Sequence, residues 1–416
     1  MRDSSARDPE GQGAGATIAL VPLSVYLHIP FCTVRCGYCD FNTHAGLESM
    51  IPDYVEALAE EVATASQGLR GHGMTEVHTV YFGGGTPSLL APAQIGEVLG
   101  SIRDRFDLRP DAEITLEANP GTLGEEKLAG LRAEGITRLS MGAQSRHPEE
   151  LALLDRTHAP VDVEAAVRKA RRAGFDNVSL DLMYGLPRQT CSGWEASLRW
   201  AIDLDVDHLS LYALTLEFGT PLKHQVDQGR VPPPDPDRAA EMYEIASETL
   251  ASHGFVQYEI SNWARHAGAG KGQIPSFACL HNLQYWRNET YLGLGAGAHG
   301  FALGWRYHNV RSPSAYIDRI RRGARTEPPC TPAVAGRRSV PRPEEMDDTM
   351  MLGLRLTLEG IETGRFAHRF GEDPAARYGQ RLEELGSVGL IEHTPDRFRI
   401  TPQGRILGNQ VFQAFV

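Results

Sequence analysis

Cys32, Cys36 and Cys39 sit in one short loop with the spacing C-x3-C-x2-C. Thiolates are soft ligands that suit iron–sulfur clusters and zinc. Three of them on a four-iron cluster leave one iron without a protein ligand, open to a small molecule that can be handed an electron. Zinc would take four closed ligands, and His28 or His44 could complete such a set. A disulfide framework suits small secreted chains, whereas this chain has 416 residues and six cysteines, with Cys191, Cys279 and Cys330 scattered. Those three read as small apolar filler. Iron–sulfur ligation is the expected chemistry, with Phe31 and Tyr38 as aromatics able to shield the sulfurs from water.

Three further groups of residues could act on a ligand. The run YFGGGTPS holds Gly84, Gly85 and Thr86; glycines let a backbone approach a ligand without a Cβ in the way, although the same triplet serves in ordinary tight turns. Glu117, Gln144, Arg156 and Asp181 follow one after another at the ends of apolar runs. Acceptors such as Glu and Asp suit ribose hydroxyls or an ammonium, and Arg suits a carboxylate; taken singly, each is as readily a solvated or capping residue. The run HNLQYW sets His281 and Asn282 beside Tyr285 and Trp286. It is either a satisfied histidine in an aromatic cluster or a porphyrin site, with imidazole for the iron and flat rings for the macrocycle.

These residues need a frame. Strand-like runs cover 24–29, 77–82, 113–118, 137–142, 178–184 and 208–214, and helical patterns lie between them. In 53–69, for example, Tyr54, Leu58, Val62 and Ala65 share one face. Strand–helix alternation with crossovers this long predicts an α/β fold with a parallel sheet, here a partial (β/α)6 TIM-like barrel. A glycine-rich strand is expected at 292–300. The Pro-rich stretch 326–345 reads as a linker. After it, helices at 347–358 and 375–385 and a hairpin at 389–401 predict a small winged-helix-like domain over 346–416. The expected organisation is a disordered leader at 1–23, a barrel domain at 24–325, the linker and the C-terminal domain.

A net charge of -12 argues against general nucleic-acid binding. The start lacks the basic region and apolar core of a signal peptide. No run of about 18 apolar residues occurs. The expected compartment is the cytoplasm.

The C-x3-C-x2-C loop, with Tyr38 before its last cysteine, resembles the radical S-adenosylmethionine (SAM) superfamily. That resemblance implies a [4Fe–4S] cluster whose open iron binds the methionyl amine and carboxylate of SAM, and a turn at Gly84, Gly85 and Thr86 that meets the methionyl amino group. Residues 24–301 resemble, more narrowly, the oxygen-independent coproporphyrinogen III oxidase group, through YLHIPFC, FGGGTPS, LEANP, RLSMGAQS, LDLMYGLPRQT and LSLYALT. By this likeness Tyr26, Tyr38, Gly84 and Glu117 hold the cluster-bound SAM. Gln144, Arg156, Asp181 and Thr215 fall where the oxidase holds a second molecule.

HNLQYW resembles the signature of the heme chaperone branch (HemW type) of that group. The branch is further suggested by Phe41, which stands where the oxidase pattern has another cysteine, and by the short polar segment before the first strand. The segment 264–280 is longer and richer in glycine than the branch pattern, which makes Cys279 a second candidate heme contact. The implied function is a heme chaperone without oxidase activity. It would bind heme through His281, Asn282, Tyr285 and Trp286, work as a homodimer, and pass heme to an acceptor hemoprotein at or near a respiratory membrane. The alternatives are oxidative decarboxylation of coproporphyrinogen III, or radical chemistry on an unrelated substrate.

Overall fold

The computed structural model describes residues 22–266 and 273–416. The expected leader, apart from its last two residues, lies outside the described residues, as does the centre of the glycine-rich 264–280 segment. Six parallel strands form the frame: β1 Leu23–Ile29, β2 Glu76–Gly84, β3 Asp107–Ala118, β4 Arg138–Gln144, β5 Asn177–Tyr184 and β6 His208–Ala213. Helices α1 Ile51–Arg70, α2 Pro92–Arg105, α3 Glu125–Glu134, α4 Pro160–Arg172 and α5 Cys191–Asp203 make the crossovers, and α6 Pro236–Ser252 follows β6. Strands buried on both faces read as nearly unbroken apolar runs, and in β1 every residue except Tyr26 is buried. Tyr54, Leu58, Val62 and Ala65 are the buried face of α1, as their spacing predicts. β3 starts well before the expected position 113, because its first five residues are largely exposed and include Pro110, so that half carries no apolar signal.

The sheet does not close. Beyond β6 lie β7 Phe255–Glu259 and β8 Asn262–Arg265. Helix α7 Leu280–Trp286 then leads to β9 Tyr291–Leu294, β10 His299–Ala302, β11 Trp305–Asn309 and β12 Val334–Ser339, giving the order β12-β11-β10-β9-β1-β2-β3-β4-β5-β6-β8-β7. The single strand expected at 292–300 is in fact two antiparallel strands. Gly295 and Gly297, at φ 96° and 79°, turn the chain between them. Part of the stretch read as linker is strand as well: β12 pairs along β11, and its exposed, Arg-rich residues gave no strand pattern. No helix among the described residues is long and apolar enough to cross a membrane.

The C-terminal part gathers its own core around Met346, Phe366, Tyr378, Phe398 and Phe415. Helices Arg342–Gly353, Thr363–Phe370 and Pro374–Ser387 surround a small antiparallel sheet whose hairpin is Ile391–Thr394 and Arg397–Ile400. The helix expected at 347–358 begins earlier and ends at Gly353. Pro343 stands in its first turn, where proline is tolerated, rather than in a linker. This part is tied to the α7 end of the sheet by Arg287 with Glu359, by Arg306 with Asp348 at 2.8 Å, and by the Arg355 guanidinium 4.3 Å over the Trp286 ring.

Candidate functional site

A cavity of about 370 Å³ opens at the C-terminal ends of the barrel strands, where active sites of such folds gather. Cys32, Cys36 and Cys39 line it together, all three as free thiols. Tyr38 joins them from the same loop, and Gly84, Gly85 and Thr86 from the end of β2. Glu117, Gln144, Asp181 and Arg156, each expected from its place after a strand, reach the same space, as does Thr215. Tyr26 does not line it. Its hydroxyl turns to His28 Nδ1 at 3.0 Å, below the Gly84 turn. Phe31 is no sulfur shield either, since it is buried edge-on against Tyr54 at 5.1 Å.

The local backbone explains the loop. Gly85 donates its N–H to the Ile29 carbonyl at 2.8 Å, and a Cβ there would lie 2.6 Å from the Phe31 oxygen. Gly84 has φ 113°, and a Cβ on it would meet the His28 ring at 2.5 Å. Gly37 packs so closely on Asp155 that a Cβ would lie 2.4 Å from its carboxylate, which sets the cysteine loop against the segment between β4 and α4. Asn42 holds the other end of the loop, donating to the carbonyls of Ala296 at 3.0 Å and Arg311 at 2.9 Å. Gly37, Asp155 and Asn42 were not anticipated, nor was Tyr212, which also lines the cavity. The glycine between two of the cysteines was the one visible signal.

The thiols are set up for a cationic cluster. Thr86 donates to Cys32 Sγ at 3.5 Å, and Arg156 donates to Cys36 Sγ at 3.5 Å and to the Gly142 carbonyl at 2.8 Å. Burial and mutual repulsion push the Cys32 and Cys39 thiols up, so bare thiolates here are uncomfortable and a metal would relieve them. Among the described residues the Arg156 Nε is buried without a partner, and an anionic group in the cavity would satisfy it. His28 cannot serve as a fourth ligand in this arrangement, because its Nε2 is engaged with the Asn42 carbonyl at 2.9 Å. Glu117 accepts from the Tyr81 hydroxyl at 2.8 Å and from the Gly84 N–H at 3.0 Å. Burial, with help from Asp181, nonetheless raises its carboxyl to about 7. Donor set, glycine turn and orphaned guanidinium together fit a [4Fe–4S] cluster with an amino-acid ligand beside it.

The HNLQYW run lies at the other end of the barrel. Helix α7 plugs the N-terminal mouth, capped by Glu113 of β3, which accepts from the N–H groups of Leu280 and His281, both at 3.1 Å, and from Cys279 Sγ at 3.4 Å. His281 is fully buried, with Nδ1 at 2.8 Å from Thr79 Oγ1 and Nε2 at 2.9 Å from the Tyr285 hydroxyl. Because Thr79 donates its proton to Ser24, His281 Nδ1 carries the hydrogen and Nε2 accepts from Tyr285. Burial, with His78 and Arg138 nearby, holds the imidazole down at about 3, so it is neutral. Its ring stacks on Tyr81 at 5.0 Å, and Tyr81 in turn reaches Glu117, so one column joins the plug to the cavity floor. Asn282 and Tyr285 are half-buried, and Trp286 is covered by Arg355. Cys279 is buried, engaged with Glu113 and pushed up to about 12, and so offers no thiolate to iron in this arrangement.

Comparison with known proteins accords with this geometry. The radical SAM superfamily pattern matches residues 26–201, and the HemN C-terminal domain pattern matches residues 340–407. The chain is 39% identical over 398 residues to Heme chaperone HemW of Mycobacterium tuberculosis (strain H37Rv), covering 95% of each. It is 37% identical over 394 residues to Heme chaperone HemW of Bacillus subtilis, covering 94% of this chain and 99% of that one. In fold it is similar to the coproporphyrinogen III oxidase HemN of Escherichia coli, at a TM-score of 0.78 and 23% identity, over 95% of this chain and 90% of that one. The chain therefore belongs to the heme chaperone HemW family within the radical SAM superfamily.

Proposed function

We propose that this chain binds heme and hands it to an acceptor hemoprotein, with Cys32, Cys36 and Cys39 holding a [4Fe–4S] cluster beside bound SAM. The observation that carries the reading is full-length similarity to relatives named as heme chaperones, at 39% identity over 95% of each chain. When bound, the cluster and SAM together supply one-electron chemistry. The chain's own part is to position. The Gly84–Thr86 turn and Glu117 receive the methionyl amino group, and Tyr38 closes the cluster loop. Tyr26 supports that turn from below through His28. Gln144, Arg156, Asp181 and Thr215 form the far wall of the cavity and fit a ribose, a carboxylate or a second small molecule. The cytoplasm, a homodimer and a membrane-associated respiratory acceptor complete the proposal.

Titration of the anaerobically reconstituted protein with hemin tests it: a saturable Soret shift is expected, and its absence would defeat the heme reading. The oxidase alternative draws on that polar far wall of the cavity. It predicts stoichiometric protoporphyrinogen and methionine from coproporphyrinogen and SAM under anaerobic conditions, and the chaperone reading predicts neither.

Glu117 adds a pH dependence. A carboxyl raised to about 7 is mostly neutral at pH 6 and mostly ionised at pH 8, and the ionised form is the one that would hold the N–H groups of an iron-bound methionyl amine. SAM affinity of the reconstituted protein is therefore expected to rise roughly tenfold from pH 6 to pH 8, as read by equilibrium dialysis. A flat or falling profile would remove Glu117 from that role.

A further inference from the structure

We infer that His281 is a positioning residue for bound SAM: its imidazole is a fixed platform that keeps the Tyr81 hydroxyl on Glu117. The inference rests on the SAM reading above and gives the HNLQYW helix a task within it. Glu117 can meet the methionyl amine only while its carboxylate stays at the Gly84 turn. Two donors hold it there, the Gly84 N–H at 3.0 Å and the Tyr81 hydroxyl at 2.8 Å. The first is backbone of β2 and is fixed by the sheet. The second depends on where the tyrosine ring lies. That ring forms a triangle with two others, its centroid 5.0 Å from His281 at 27° and 6.2 Å from Tyr26 at 26°, with 6.4 Å between Tyr26 and His281. Gly83 gives the triangle room, since a Cβ there would lie 2.9 Å from the Tyr81 ring and 3.0 Å from the Tyr26 ring.

Of the three rings, His281 is the one held at both edges. Its Nδ1 lies 2.8 Å from Thr79 Oγ1, its Nε2 accepts from the Tyr285 hydroxyl at 2.9 Å, and its backbone N–H donates to Glu113 at 3.1 Å. The Tyr285 ring also packs edge-on against it at 4.9 Å and 87°. Tyr26, by contrast, has one polar anchor, its hydroxyl on His28 Nδ1 at 3.0 Å. A flat ring locked in this way sets the plane of the ring stacked on it, which volume alone does not. Burial, with His78 and Arg138 nearby, keeps the imidazole neutral at about 3, so its own charge does not change between pH 6 and pH 9. The groups that face Glu117 are Asp181 of β5, which raises its carboxyl, and Arg138 of β4, which lowers it, together with the hydroxyls of Tyr26, Tyr212 and Tyr285. Among the influences that lower the carboxyl, the Tyr81 hydrogen bond is the largest.

The test compares His281→Leu with His281→Phe in the anaerobically reconstituted full chain, reading SAM affinity by equilibrium dialysis from pH 6 to pH 9. Both variants lose the imidazole's hydrogen bonds, and only phenylalanine keeps a flat ring against Tyr81. His281→Leu is expected to move the midpoint of the affinity profile up by about one pH unit, the effect of losing one hydrogen bond to a carboxylate. SAM then binds about fivefold more weakly at pH 7 and within about twofold of wild type at pH 9. His281→Phe is expected to keep the wild-type midpoint, even where its thermal melt falls as far as that of the leucine variant. Tyr81→Phe should show the leucine shift, and His281→Leu on top of it should add nothing. Tyr285→Phe, which frees only the imidazole Nε2, should shift the midpoint the same way by less, and it replaces the leucine variant if that one does not fold. Equal profiles for leucine and phenylalanine at 281, or a wild-type midpoint in Tyr285→Phe when the leucine variant is unfolded, would overturn the inference while leaving the SAM reading intact. A wild type that binds no SAM removes the SAM reading and this inference with it.

Discussion

Cys36→Ser is expected to bleach the protein. A hydroxyl is a poor ligand for cluster iron beside two thiolates, so iron and sulfide after anaerobic reconstitution should fall to near background. SAM affinity should fall with them, because the open iron is gone. The fold should survive. Cys36 is half-buried in a loop, belongs to no hydrophobic core, and has the Arg156 guanidinium as its side-chain hydrogen-bond partner. That contact spans 3.5 Å to sulfur, and serine can replace it with a water. The readouts are visible absorption, iron and sulfide content, and a thermal melt. Bleaching with a near-unchanged melt supports a resident cluster. Loss of all folded protein would mean that the thiols hold a structural ion.

The largest effect on stability is expected at Glu113. Its carboxylate accepts three bonds from the start of α7 and lies beside the buried Arg138 guanidinium. Glu113→Ala strands the N–H groups of Leu280 and His281, the latter buried, and removes one of the carboxylates around the buried Arg138 guanidinium, a loss on the order of 2–4 kcal/mol. The urea midpoint should drop accordingly. At low denaturant the variant should still assemble its cluster, because the cysteine loop is held from the opposite end of the barrel by Asp155 and Asn42. A midpoint within the error of wild type would show that α7 is held by its apolar contacts instead.

Much of the frame was readable because parallel strands covered on both faces carry their signal locally. Val25, Leu27 and Ile29 alternate with polar residues that line the interior, and each later strand repeats the scheme. The cavity residues were readable for a related reason: in a parallel barrel the residue after each strand must arrive at one end. Three things had no local signature. The end of the barrel that Leu280–Trp286 closes depends on partners such as Thr79 and Glu113, far away in sequence. The glycine turn at Gly295 and Gly297 that separates β9 from β10 lay inside a run with the look of one strand. β12 is an exposed edge strand of arginines whose pairing is carried by its backbone. HNLQYW was readable as a motif but not as a place, and the structure sets its histidine in the barrel floor.

The floor plug bears on how the chain is made. Thr79 and Glu113 leave the ribosome long before their partners, with 202 residues separating Thr79 from His281. At ordinary elongation rates of about 5–20 residues per second, that gap lasts roughly 10–40 seconds. Throughout that interval the nascent barrel has a hydrated, unpaired base and a carboxylate with nothing to cap. Early domains cannot lock before the late helix emerges, so a chain truncated ahead of residue 280 is expected to demand holding factors in the cell where the complete one does not.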